Sequence, residues 1–232
     1  IERPPIGQSG TFFVADRMKV SAINPGILSI ASYLHSKGYS VNILDLSDAE
    51  NYESIGEKIS DIDSPIIGIS STSGFDYIET LYIASDIKSK LGSTVIIGGQ
   101  HVGPLGSIVF SDSDSVDAVV RYEGEKTLQS ILNNRRKNAH LFADLSGVVY
   151  RDSTNGEIIE NVRRPNKVPL DELPYLNFEL YPDFLNFTPF VEESRGCVYG
   201  CNYCTSNTIY GNAIDIKTPD RFMKEFERLV SL

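Results

Sequence analysis

Cysteine is scarce in this sequence and confined to one place. The 232 residues contain three, Cys197, Cys201 and Cys204, all within RGCVYGCNYC (195–204). An odd number of thiols, spaced two or three residues apart, excludes a disulfide framework. A fourth cysteine is missing and the nearest histidine, His140, lies far upstream, so a four-ligand structural zinc site is short of a ligand. No apolar run approaches the roughly 20 residues that cross a bilayer, and no membrane partner is expected. The opening IERPPIGQSG has neither the basic nor the apolar part of a signal peptide. With free thiols, that predicts a cytoplasmic protein. Positive charge is in deficit, with 21 Lys and Arg against 31 Asp and Glu and a net charge of −10. This balance argues against a nucleic-acid backbone as partner, although it is also ordinary for a soluble protein. The sequence has no G-x-G-x-x-G, which weakens a dinucleotide reading, and no internal repeat.

What is present is an alternation of two periods. GILSIASYLHSKG puts Ile27, Ile30, Ala31 and Leu34 on one helical face and ends at Gly38. YSVNILDL then predicts a strand, and SPIIGISS and TVIIGG predict strands buried on both faces. Between the latter two, DYIETLYIASDIKSKLG predicts a helix opened by an Asp76/Glu79 capping box. DAVVRYE and EKTLQSILNNRRK supply a further strand and helix, and GTFFVAD is the candidate first strand. Strands alternating with helices predict an α/β fold, a doubly wound parallel sheet covered on both sides.

The texture changes near residue 145. LSGVVYRDSTNGEIIENV predicts a hairpin turning at Asn155-Gly156, and a proline-rich stretch without a clean period follows to about residue 188. FVEESRG predicts a strand ending at the cysteines, and TPDRFMKEFERLV a helix with Thr218 at its N-cap and Pro219 at its first position. The expected division is a sheet domain over 1–144, a hairpin and linker over 145–188, and the start of a second, truncated domain over 189–232. The chain begins with Ile and stops inside a predicted helix, which is expected of a piece of a longer protein.

In an open parallel sheet, ligands bind beyond the C-terminal strand ends. The residues there are small: Asn24, Pro25 and Gly26; Ser70, Ser71 and Thr72; Gly98 and Gly99 with His101; Glu123 and Gly124. Glycine admits close approach of a bulky ligand and hydroxyls offer donors, but the same residues also make the ordinary turns of such a sheet. His101 has two readings, a ligand contact or a loop histidine facing water or backbone. The cysteine spacing C-x-x-x-C-x-x-C suits three corners of an iron–sulfur cubane with one iron left open. Zinc and a redox C-x-x-C pair are the competing readings.

That spacing, with the aromatic Tyr203 just before the last cysteine, resembles the cluster motif of the radical S-adenosylmethionine enzymes. The order NPGILSIASYLHSKGYSVNILDL, IIGISS, VIIGGQH, DAVVRYEGEKTL, hairpin, linker and SRGC resembles their cobalamin-binding class over about Asn24 to Cys204. The resemblance implies a Rossmann-like, flavodoxin-like domain holding cobalamin, joined to the first βα unit of a truncated radical S-adenosylmethionine barrel. It implies that Cys197, Cys201 and Cys204 hold a [4Fe–4S] cluster whose fourth iron S-adenosylmethionine chelates, with Tyr203 near the adenine. The implied function is methyl transfer to an unactivated carbon, or radical rearrangement or cyclisation, on a small-molecule or peptide substrate. An electron donor such as a flavodoxin or ferredoxin is implied as partner. This portion is expected to turn over poorly by itself. Two rivals stand beside this reading: a sheet domain that docks a substrate or partner without cobalamin, and a non-catalytic cobalamin binder with a structural cluster. The D-x-H-x-x-G of classical cobalamin domains is absent, because Tyr33 stands where its Asp would precede His35. A corrin without a histidine ligand from below is therefore expected.

Overall fold

The computed structural model describes residues 11–15, 23–46, 48–137 and 139–231. In chain order the sheet region contains β1 (Thr11–Ala15), α1 (Pro25–Ser36), β2 (Val41–Asp45), α2 (Tyr52–Ser60), β3 (Ile66–Ser70), α3 (Tyr77–Leu91) and β4 (Thr94–Gly98). Two short turns of helix, α4 (Val102–Leu105) and α5 (Val109–Asp112), lead to β5 (Ala118–Val120), α6 (Gly124–Arg136), β6 (Val148–Arg151) and β7 (Ile158–Glu160). The strand order is β2-β1-β3-β4-β5-β6-β7. The first five strands are parallel, and β6 and β7 are antiparallel. GTFFVAD does supply the first strand, and it sits inside the sheet between β2 and β3.

Because successive side chains of a strand point to opposite faces, each strand feeds two cores. Ile66, Ile96, Ala118, Val120, Val148 and Tyr150 join one core with Ile27, Leu28 and Leu34 of α1 and Leu128 and Ile131 of α6. Ile67, Ile69, Val95, Ile97, Val119 and Val149 join the other with Ile55 and Ile59 of α2 and Ile83 and Ile87 of α3. Fully burying one such aliphatic side chain contributes about 1.5–3 kcal/mol, so the continuous apolar runs of β3 and β4 are accounted for by their two covered faces.

Two features depart from the sequence expectations, and a third, the ordered linker, goes further than the sequence could show. The hairpin grouped with the linker is continuous with the sheet, since Val120 pairs with Val148 and Val119 with Val149 across β5 and β6, all of them buried. The expected capping box at Asp76 does not form. Asp76 has helical rather than extended backbone, and its carboxylate accepts instead from Thr72 N, Ser73 N and Ser71 Oγ in the preceding loop, at 3.1–3.2 Å. The proline-rich stretch is packed: Val168, Leu170, Leu173, Phe178 and Tyr181 are buried in the core beside α1.

Past the linker lie β8 (Ser194–Gly196), α7 (Ser206–Tyr210), β9 (Ile214–Ile216) and α8 (Pro219–Val230). Thr218 caps α8 by accepting from Arg221 N, as the sequence predicts. FVEESRG pairs only over its last three residues, antiparallel to β9. Among the described residues no helix is long and apolar enough to cross a membrane.

Candidate cofactor site

The chain leaves β1 towards β2 on one side and β3 on the other, so the sheet has a crevice above those strand ends. A cavity of about 400 Å³ occupies it. Its floor is apolar, formed by Phe13, Gly68, Ile69, Ile96, Ile97, Gly98 and Val120 from β1, β3, β4 and β5, with Ile27 and Leu128 from the covering helices. The rim carries the polar groups Asn24, Asp45, Ser70, Thr72, Gln100, Arg121, Glu123 and Glu125.

Most of the residues picked from the sequence meet here. Asn24, Pro25, Gly26, Ser70, Thr72, Gly98, Gly99, Glu123 and Gly124 all line the cavity. Asn24 caps α1 by accepting from Ile27 N at 3.1 Å, which holds its loop at the rim. Gly99 is obligatory: its φ is +112°, and an added Cβ would stand 2.3 Å from the Ser71 carbonyl oxygen. Ser71 lies beneath the rim rather than on it, wholly buried, with its hydroxyl given to Asp76 at 3.2 Å. His101 also stands outside the cavity wall. Its backbone N–H donates to Ser71 O, and its ring packs edge-on against Tyr77 and faces Gly74. The chain turns into α4 immediately after His101.

Five contributors were not legible in the sequence because they come from the linker and the region beyond it. Tyr181 closes one side and donates to Asp45 Oδ2 at 2.6 Å. Burial, then this hydrogen bond, holds the phenol above its ordinary value. Ile209 and Tyr210 of α7 cover the top, and Arg195 of β8 enters the wall with Glu192 beside it. Arg164 donates to the Ile209 and Thr208 carbonyls and stacks over Tyr122, fastening α7 in place.

Arg195 makes the densest polar contact in the site. Its Nη1 donates to Glu125 Oε1 at 2.9 Å and Glu123 Oε1 at 3.2 Å. Its Nη2 donates to Glu192 Oε2 at 2.8 Å and Ser29 Oγ at 3.3 Å, and Nε to Glu192 Oε1 at 3.0 Å. Burial alone would lower the Arg195 pKa, but Glu125 and Glu192 outweigh it and hold the guanidinium above its ordinary value. Glu123 moves up despite the same pairing. Its burial dominates, Glu125 repels it, and Arg195 divides its attraction among three carboxylates.

The cysteines follow two residues after Arg195. Cys197 is half-buried, Cys201 and Cys204 are exposed, and Tyr203 is 90% exposed. Among the described residues no group of three or more His, Cys, Asp or Glu side chains converges as a metal-holding set. The loop brings the three thiols into one segment without converging them on a common point.

A family model described as the B12 binding domain matches residues 13–132. The chain belongs to the B12-binding domain family. An uncharacterized methyltransferase of Pyrococcus horikoshii, PH0819, is 28% identical over 212 residues, covering 88% of this chain and 45% of that protein. Among solved structures, the radical S-adenosylmethionine methyltransferase TsrM from Kitasatospora setae, with cobalamin and a [4Fe–4S] cluster bound, superposes with a TM-score of 0.74 at 16% identity, over 97% of this chain and 46% of that one. The cobalamin-dependent S-adenosylmethionine radical enzyme OxsB, with aqua-cobalamin and S-adenosylmethionine bound, gives 0.77 at 21% identity, over 97% of this chain and 32% of that one. The chain thus spans less than half the length of these relatives. The cobalamin-binding part of the resemblance drawn from the sequence is borne out, and so is the Rossmann-like α/β fold.

The cavity fits a corrin by its own construction. An apolar floor interrupted by Gly68 and Gly98 suits a flat macrocycle, and a side chain on Gly26 would meet only its neighbour Asn24 Oδ1 at 3.5 Å. Among the described residues lining it there is no histidine, so the walls offer no imidazole from below. The donor set of the loop, three thiols at C-x-x-x-C-x-x-C, fits an iron–sulfur cluster.

Proposed function

We propose that this chain is the cofactor-holding portion of a cobalamin-dependent radical S-adenosylmethionine enzyme, most simply a methyltransferase acting on an unactivated carbon. One observation carries the reading: the cysteine loop is rooted in the cavity wall at both ends, by Arg195 before it and by Ile209 and Tyr210 after it. A loop that merely held a structural cluster has no need to form the roof of the crevice at the strand ends. When bound, cobalamin supplies a transferable methyl group, and the cluster with S-adenosylmethionine supplies the radical that opens the substrate C–H bond.

The chain's own residues do the holding. Ile69, Ile97 and Val120 would exclude water from the bound ring, Gly98 and Gly99 would let backbone approach it closely, and Asn24, Thr72 and Glu123 would offer it polar partners. Cys197, Cys201 and Cys204 would ligate three irons, leaving the fourth for S-adenosylmethionine, and Tyr203 would flank the adenine. A small-molecule or peptide substrate and a one-electron donor such as a flavodoxin or ferredoxin complete the system. Names borne by the relatives favour methyl transfer: PH0819 and TsrM are both called methyltransferases.

Anaerobic reconstitution with iron and sulfide tests the cluster half of the proposal. The wild-type chain is expected to take up about four irons with a visible iron–sulfur absorbance. Replacing Cys197, Cys201 and Cys204 together by Ala is expected to abolish it. A wild-type chain that takes up no cluster, or a triple variant that keeps one, contradicts the reading.

A further inference from the structure

We propose that Arg195 is a positioning residue that couples the cavity to the cysteine loop, so that a ligand in the one and a cluster on the other sense each other. The proposal rests on the cobalamin reading above and goes beyond it, because nothing in that reading requires the two sites to communicate.

The geometry makes a short, stiff path. Arg195 uses its guanidinium N–H groups on four partners: Glu192 of its own segment, Glu123 and Glu125 at the start of α6, and Ser29 of α1. Ser29 in turn donates to Glu125 Oε1 at 2.7 Å, which closes the network. The arginine side chain is only 11% exposed, and Glu125 only 6%. Gly196 follows with φ at +100°, where an added Cβ would lie 2.3 Å from the Ala213 carbonyl oxygen. Cys197 N then donates to that same oxygen at 3.1 Å. From the cavity wall to the first cysteine the backbone therefore has no free joint.

The charge balance makes this path responsive rather than inert. One guanidinium faces three carboxylates: Glu192 takes a bidentate pair from Nε and Nη2, while Glu123 and Glu125 share the single nitrogen Nη1. A buried ion pair kept for stability alone is poorly explained, since apolar replacements of such pairs are often neutral or stabilising. Glu123, Glu125 and Glu192 all line the cavity, and a ligand that gives N–H donors to Glu123, the less buried of the two on α6, such as the carboxamides on a corrin rim, relieves its claim on Arg195. Arg195 then rests more fully on Glu125 and Glu192, and the segment entering Cys197 moves with it. By linkage the effect is reciprocal: a cluster that draws Cys197 inward alters the affinity of the cavity by the same factor.

The test compares hydroxocobalamin affinity by equilibrium dialysis with and without the reconstituted cluster, and records the electron paramagnetic resonance of the reduced cluster with and without corrin. Wild type is expected to show an affinity change of about fivefold or more and a corrin-dependent shift of the cluster signal. Arg195→Lys keeps one charge but loses the planar fork, and Arg195→Met loses both; each is expected to bind corrin with a cluster dependence below about twofold and an unshifted signal. Lys88→Met, which removes an ion pair with Asp117 elsewhere in the sheet domain, is expected to keep the wild-type coupling. Should Arg195→Met not fold, Glu123→Gln decides, because it leaves Arg195 anchored on Glu125 and Glu192 while neutralising one cavity-lining carboxylate. Folded variants that retain wild-type coupling, or a wild type that binds corrin with no coupling, overturn the proposal. A wild type that binds no corrin fails earlier and differently, since it removes the cobalamin reading on which this one stands.

Discussion

At the scale of single residues, the site depends on positions where one atom decides. Gly99 is the sharpest case. Ala at this position places a methyl against the Ser71 backbone in a left-handed conformation, and the expected cost is about 3 kcal/mol, measured as a lowered denaturation midpoint. Gly26 contrasts with it, because its added methyl meets nothing closer than Asn24 Oδ1 at 3.5 Å. Tyr181 ties the linker to Asp45 and gives a pH signature. Its phenol is held above the ordinary value by burial and by that hydrogen bond. The unfolded chain therefore releases this proton near pH 10 while the folded chain keeps it, so stability is intact below about pH 10 and falls as pH rises above it. Tyr33, Tyr77, Tyr150 and Tyr210 are shifted the same way and share the slope. Tyr181→Phe is expected to lower stability at neutral pH by about 1–3 kcal/mol, through the lost bond to a carboxylate, and to flatten the alkaline loss. Urea melts at about pH 8 and about pH 11 measure both effects.

At the scale of elements, what was legible from the sequence tracks what is local. The strands and helices of the sheet region announce themselves because each buries a face at its own period, and Asn24, Thr218 and the short loops mark their ends. The linker has no period to announce. Its burial depends on Leu170, Leu173, Phe178 and Tyr181 meeting α1 and the sheet, and on Asn177 N donating to Ser32 Oγ at 2.9 Å, contacts that span far separations in sequence. The same holds for the Arg195 network, whose partners lie in three separate segments. The nine site residues that sit on the strand-end loops were legible from topology alone, because any flavodoxin-like sheet gathers those loops at its switch point. His101 was not, since its place outside the cavity lining is set by packing of its ring against Tyr77 and Gly74. A linker that only connects tolerates truncation of its side chains, whereas this one does not. Leu170→Ala is expected to cost about 2–5 kcal/mol by thermal or urea melting, against nearly nothing for an exposed position such as Leu185.

At the scale of the whole molecule, the two faces of the sheet have different work. The face with α2 and α3 is closed by aliphatic packing and carries no part of the cavity roof. The other face, with α1 and α6, receives the linker and presents Glu125 and Ser29 to Arg195. That asymmetry places the cysteine loop over the crevice, and it follows from the linker packing as an ordered wall. The claim most open to direct attack is that this crevice holds a corrin with no histidine beneath it. Anaerobic titration of the folded chain with hydroxocobalamin, followed by visible absorbance, tests it. A saturable bound corrin whose spectrum lacks the histidine-ligated signature, and whose affinity falls when Gly26 is replaced by a bulky residue, is the result the structure predicts. A folded chain that leaves the cobalamin spectrum unchanged at any concentration, or that gives a histidine-ligated spectrum, would contradict it.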